Sequence, residues 1–188
     1  MSAALEVVRR LHVYNAWADG QVLAAMEGLT RDDLAKEAPV AYGNLRGALW
    51  HSLAAQLGWL QICAGFDTWS RANVRDSSSL ESLREMFLAS HNMWREFIES
   101  LDEEGVLQTV DLPMDVNFRK SVGPELLRWS EEHGHRPRRP LWQSALHVVN
   151  HGTQHRAEIG MYLASLGRSP GDLDYGTFEE NRAVRESG

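Results

Sequence analysis

From Pro140 to Leu166 the chain reads as one uninterrupted helix, and this run constrains the fold more than any other feature. Its face residues Leu141, Ala145, Val148, Gly152, Ile159, Leu163 and Leu166 recur at steps that stack on one side of an α-helix. Pro140 is expected in the first turn, where a missing N–H costs no hydrogen bond. Gly167 is expected as the C-terminal cap, with Pro170 beyond it. A helix of about 27 residues is roughly 40 Å long, so it needs partners of similar length to cover its apolar side.

Three further segments have the same period. Residues 4–29 carry Val7, Leu11, Tyr14, Ala18, Val22, Ala25 and Leu29 on one side, and Gly28 with the stretch after Leu29 ends them. Residues 44–64 are apolar nearly all round, which predicts packing on several sides, with Asn44 as cap and Gly65 past the end. Residues 79–101 follow a capping-box spacing of Ser78 and Glu81, with an inner stripe of Leu80, Leu83, Phe87, Trp94, Ile98 and Leu101. Four such helices with longer connections predict an all-α, antiparallel four-helix bundle. Residues 1–188 then form one domain, with its core at about 4–167, an irregular tail at 168–188 and a frayed end at 183–188. In the connection 106–139, residues 106–111 and 115–119 are expected to form a short hairpin, and 124–133 a short helix. Residues 133–140 read as a surface loop.

Composition narrows the function classes. With 188 residues the chain buries a core without needing a disulfide or metal to fold. Cys63 is its one cysteine, which excludes an internal disulfide and cysteine-ligated zinc or cluster sites. A net charge of −7 argues against a nucleic-acid partner bound through a broad basic face. No run reaches the roughly 18 apolar residues of a membrane span, and the N-terminal stretch lacks the order of a signal peptide. A cytoplasmic protein without a membrane partner is the expectation.

Eight histidines stand out. His147, His151 and His155 follow one another at four-residue steps, which places imidazoles one above another on a helix, as a shared metal ligand set requires. With His151 at zero, His155 falls at about 40°, just inside the apolar face, and His147 at about −40°, toward solvent. The His151/His155 pair is therefore the better-buried one, with His147 flanking it. A third ligand should come from another helix, and His51 lies in the middle of the most apolar one. Gly47, Ala55 and Gly58 on its face are expected to leave room for an ion and a bound molecule.

Three motifs resemble those of the DinB/YfiT-like family of metal-binding four-helix bundles. They are Tyr14-Asn15-Ala16-Trp17-Ala18 with Leu23, the segment from Leu45 through His51 to Ala55, and the segment from His147 through His151 and His155 to Arg156. They stand in the family's order, and Asp172-Leu173-Asp174-Tyr175 is similar as well. The resemblance implies a divalent metal held by His51, His151 and His155, the trio that helical spacing favours. It also implies a homodimer and a small-molecule substrate, since relatives resemble thiol-dependent transferases and isomerases, metal-dependent hydrolases or stress-induced proteins. The 106–139 connection is longer than the family usually carries.

Three neutral imidazoles leave a coordination position open, where a metal activates a water or a low-molecular-weight thiol. Zinc is the first choice, and nickel and iron accept the same ligands. A metal-dependent S-transferase or hydrolase is one outcome, and a non-catalytic metal- or ligand-binding stress-related protein is the alternative. Candidate catalytic residues are Glu158, His12, Asp19 and His91, and candidate cofactor-binding residues are Asn15 and Arg156. Glu158 either hydrogen-bonds a ligand histidine or is a solvated helix charge. His12, Asn15 and Asp19 make a polar stripe that either faces the pocket or is satisfied in the core. His91 carries the same two readings. His133, His135, Arg136, Arg138 and Arg139 read as solvated loop, or more sharply as a clamp for the carboxylate of a thiol cofactor. The tryptophans and Cys63 read as core packing.

Overall fold

A capping hydrogen bond starts the second long helix where Asn44 predicts it: the Asn44 side chain accepts the Gly47 N–H at 2.8 Å. The structure, a computed structural model, describes residues 3–65, 79–112, 124–134 and 136–186. Its helices are α1 (Ala3–Ala25), α2 (Arg31–Ala35), α3 (Leu45–Cys63), α4 (Leu80–Glu99), α5 (Pro124–His133), α6 (Leu141–Ser165) and α7 (Tyr175–Glu186). Two short strands, β1 (Thr109–Asp111) and β2 (Arg138–Pro140), complete it.

The fold is all-α, with α1, α3, α4 and α6 forming a four-helix bundle. Named contacts fix the directions. Gln56 meets Ser90 and its carbonyl meets Trp94, while Leu49 and Leu53 cluster with Leu83 and Phe87, so α3 and α4 run parallel. His12 meets Ala145 and Asp19 meets Arg156, so α1 and α6 run parallel. The other adjacent pairs, α1 with α4 and α3 with α6, are antiparallel: Asp19 meets His91 and His12 meets Trp94, and His51 meets His151 and Trp59 meets His147.

Two apolar clusters fill the ends of the bundle. One holds Leu5, Trp59, Ile62, Trp94, Ile98, Leu141 and Ala145, and the other Val22, Met26, Leu45, Leu53, Leu83, Phe87 and Ile159. Between them the core is polar. Arg156, only 3% exposed, donates through Nη1 to Asp19 Oδ1 at 2.8 Å and to Asn15 Oδ1 at 2.6 Å. Gln56 donates to Asp19 Oδ2 at 2.8 Å, and the His91 Nε2 lies 3.2 Å from the same oxygen. Burial pushes the Asp19 carboxyl upward, but His91 and Arg156 outweigh it and hold it below the usual carboxylate range. Gly152 has a steric reason: a Cβ there would sit 2.7 Å from Arg156 Nη1 and 2.9 Å from Asn15 Oδ1.

Several sequence expectations are corrected. On α1 the buried residues are Leu5, Val8, His12, Tyr14, Asn15, Ala18, Asp19, Val22 and Leu23, so Tyr14, Ala18 and Val22 are buried as expected while Val7 is 47% exposed. The buried polar residues His12, Asn15 and Asp19 widen the face beyond the one that apolar residues alone define. Leu166 is also exposed. The first helix stops at Ala25, and Thr30 then starts α2 with a capping box to Asp33. Ser79 caps α4 by accepting the Ser82 N–H, whereas Ser78 lies outside the described residues. Pro140 sits one position before α6, as its N-cap. At the far end Gly167 (φ 74°) lets the Arg168 N–H reach Leu163 O at 2.9 Å, the expected glycine cap. The strand 109–111 pairs antiparallel with 138–140, inside the stretch expected to be loop, and residues 115–119 lie outside the described residues. The predicted helix at 124–133 is present as α5.

The tail is not irregular throughout. Asp174 accepts the Gly176 N–H at 2.7 Å and opens α7, whose Phe178 is buried against Tyr14 and Trp17. Arg10 clasps Glu179 with two 2.6 Å bonds. These contacts order the segment where periodicity alone shows little.

Removing one partner of the core ion pair leaves a buried charge uncompensated. Asp19→Ala is expected to cost about 3–5 kcal/mol in urea unfolding. The double variant Asp19→Leu, Arg156→Met should cost clearly less than the sum of the single changes. Additive losses would show that the two groups do not interact.

Candidate metal centre

The middle turns of α3 and α6 face each other, and each brings histidine to the contact. His51 sits on α3, and His151 and His155 sit one turn apart on α6. The Nε2 atoms of His51 and His151 are 3.1 Å apart, and those of His151 and His155 are 3.2 Å apart. The three offer ligand atoms that all lie within 4.8 Å of one another. His155 is buried, while His51 and His151 are half-buried.

The donor set fits a divalent ion. Ligand nitrogens about 2.0–2.1 Å from a tetrahedral metal stand about 3.3–3.4 Å apart, close to what is seen. One imidazole nitrogen has either a proton or a lone pair, so His151 Nε2 cannot pair fully with both neighbours. A cation takes all three lone pairs at once. Burial, then the neighbouring imidazoles of His155, His51 and His147, push His151 down to about 3, so it stays neutral and ready to ligate.

Glu158 adds the next layer. His155 Nδ1 is buried without a hydrogen bond, and Glu158 Oε2 lies 3.6 Å from it. That carboxylate stands where it favours the proton on Nδ1 and leaves Nε2 free for a metal. The same Oε2 accepts the Ala41 N–H at 3.1 Å, which ties the segment before α3 to α6.

Sequence reading missed Tyr42. It adopts a left-handed conformation (φ 65°), uncommon for a residue with a side chain, and its ring stacks on His51 with centroids 4.3 Å apart. Gly47 was expected to leave room for an ion, but Tyr42 takes that space: a Cβ at Gly47 would lie 2.9 Å from Tyr42 Cβ and 3.1 Å from its carbonyl oxygen. The signal was a glycine one turn before the histidine, attributed to the wrong neighbour.

The other candidates lie outside the three-histidine cluster. His147 flanks the cluster, its ring 5.8 Å from His151 and 4.7 Å from Trp59. Asn15, Asp19, His91 and Arg156 have one another and Gln56 as polar partners in the core. Asp19 and His91 also line a groove of about 260 Å³ between α1 and α4. His12 Nε2 bonds the Ala145 carbonyl at 3.2 Å and its ring lies 4.5 Å from that of Trp94. His133 is exposed and stacks on Trp129, and His135 lies outside the described residues. Cys63 is buried, and burial pushes its thiol up to about 12.

Comparison with known proteins gives the chain a family. The sequence model of the DinB family matches residues 1–186. The chain is 23% identical over 177 residues to "Protein DinB" of Bacillus subtilis (strain 168), covering 90% of this chain and 91% of that protein.

His12 makes the fold sensitive to acid. Burial, only partly offset by the bond to Ala145, lowers it from its ordinary 6.5 to about 4. The unfolded chain therefore binds the proton first, so this contribution to stability is full above pH about 6.5 and is lost as pH falls toward 4. In chelator-treated protein the loss attributable to His12 should be on the order of 3 kcal/mol between pH ~7 and ~4. Urea titrations of wild type and His12→Gln should show a shallower pH dependence in the variant. Equal slopes would show that His12 does not titrate this way.

Proposed function

Because the chain belongs to the DinB family, we propose that His51, His151 and His155 hold one divalent cation, and that the centre serves metal-dependent chemistry on a small molecule. The reaction class is thiol-dependent S-transfer or hydrolysis. The observation that carries the metal reading is the approach of three Nε2 atoms to one point, at 3.1 and 3.2 Å from His51 to His151 and from His151 to His155.

A divalent ion bound there supplies a Lewis acid with an open position that lowers the pKa of a bound water or low-molecular-weight thiol. Zinc is the first choice, with nickel and iron accepted by the same donors. The chain's own residues prepare the place. Two ligands on α6 and one on α3 stand on rigid helices, so their spacing does not depend on loop order. Glu158 favours the proton on His155 Nδ1 and keeps Nε2 available. Tyr42 covers one face of His51 and shields that side of the cluster from water.

A second reading, a non-catalytic metal- or ligand-binding protein of stress responses, rests on Glu158. Its Oε2 already accepts the Ala41 N–H at 3.1 Å, and its Oε1 faces Gln154 at 3.4 Å. The carboxylate beside the cluster is thus engaged in holding the segment before α3, and a dedicated general base would have to come from elsewhere. Pairing into a homodimer is supported by the family resemblance.

Tag-free protein should carry close to one equivalent of metal per chain, measured by elemental analysis. His51→Ala, His151→Ala and His155→Ala should each abolish it with the helical circular dichroism intact. Glu158→Gln should weaken Zn²⁺ affinity by about 10–100-fold. Thiol conjugation and ester or amide hydrolysis, assayed with Zn²⁺ and Ni²⁺ loaded separately, should show metal-dependent turnover. Stoichiometric metal with no turnover over a broad panel selects the non-catalytic reading, and the absence of metal sinks both.

A further inference from the structure

Arg139 is a half-buried cation without an acidic partner among the described residues. It lies in β2, directly before α6. Among the described residues no carboxylate comes within ion-pair distance of it, whereas its neighbour Arg138 is paired with Asp111 at 2.6 Å and Arg136 is exposed. Burial pulls its guanidinium below the ordinary range, the mark of a charge that has lost water. The nearby titratable groups are Cys63 and His147: the thiol, pushed up to about 12, supplies no negative charge near neutral pH, and an imidazole supplies none at all. Such a charge is unfavourable unless something completes it.

Its surroundings point toward the histidine cluster. Arg139 Cζ lies over the Trp59 ring, 5.1 Å from the centroid. The Trp59 ring is 4.7 Å from His147, and His147 is 5.8 Å from His151. A continuous row of rings thus joins the guanidinium to the candidate ligands along the face between α3 and α6. The contact with Trp59 places the ring against the guanidinium carbon, and a guanidinium is a planar group whose N–H edges bind a carboxylate with two parallel bonds. The start of α6 adds the positive end of a helix dipole to the same spot.

We propose that Arg139, held over Trp59, anchors the carboxylate of a small molecule whose reactive end lies at the His51–His151–His155 centre, as substrate or as thiol co-substrate. The anchor stands on Arg139 alone, and its link to the reactive end rests on the metal reading above. It also singles out one arginine of the three that the sequence places together.

The test is binding, read without turnover. Succinate, acetate and inorganic phosphate are titrated at constant ionic strength into metal-free and Zn²⁺-loaded protein, by calorimetry and by the shifts of the tryptophan indole N–H signals. Wild type should bind succinate. Arg139→Gln should weaken it at least tenfold, Arg139→Lys should give an intermediate loss, and Arg138→Gln should leave it unchanged. Matching thermal transitions establish that each variant is folded, and the lysine variant keeps the charge if glutamine disturbs the strand. Equal losses at 138 and 139, no succinate binding, or phosphate binding in its place would overturn the proposal. If Zn²⁺ fails to bind while succinate still depends on Arg139, the metal reading falls and the anchor stands.

Discussion

One buried charge pair sets the register of the bundle. Arg156 and Asp19 lie in the core away from water, and neither tolerates that without the other. Each helix of the bundle sends a group to the network: Asn15 and Asp19 from α1, Gln56 from α3, His91 from α4 and Arg156 from α6. Apolar faces alone would let the helices slide or rotate by part of a turn at small cost, since hydrophobic burial has no direction. Directed bonds to one carboxylate do not allow it. The candidate metal ligands inherit this precision, because His155 is the residue before Arg156 and His51 lies about one turn before Gln56.

The histidine cluster and the charge network divide α6 between them. His151 and His155 turn toward α3, and Arg156 turns toward α1. Neutral imidazoles and a paired guanidinium are thus stacked along one helix without mutual repulsion, which holds because burial keeps His151 uncharged. On the outer side, Tyr42 in its left-handed conformation and Glu158 in contact with Ala41 close the end of the site from the α2–α3 connection. Strain of this kind costs on the order of 1–3 kcal/mol and persists where the surroundings enforce it. Here Gly47 makes the space and the Ala41–Glu158 bond holds the backbone.

Much of this was legible in the sequence because it is local. Helix α6 announces itself by period, proline and glycine, and the spacing of its histidines is a property of one helix. His51 was legible as a polar residue in an otherwise apolar segment. What escaped depends on partners far away in the chain. The polar stripe of His12, Asn15 and Asp19 was visible, but Asp19 finds its partner 137 residues later, and no periodicity reports that. Val7 was misplaced for the same reason, since the buried side of α1 includes polar groups that a hydrophobic pattern counts as outside. The strand at 109–111 pairs with 138–140, and α7 is held by Phe178 and Glu179 against α1. Each is a weak local signal made definite by a distant contact. Tyr42 escaped because its role lies in a backbone conformation that sequence does not mark.

Gly152 carries a consequence for the charge network. The space that its missing Cβ leaves is filled by the Arg156 guanidinium and the Asn15 side chain. A side chain at 152 forces the ends of Arg156 and Asn15 to shift, and with them the bonds to Asp19, so a change at one of these positions is felt at the others. Positions 15, 19, 152 and 156 therefore form one mechanical unit, in which a glycine with no side chain of its own sets the room that a buried ion pair needs.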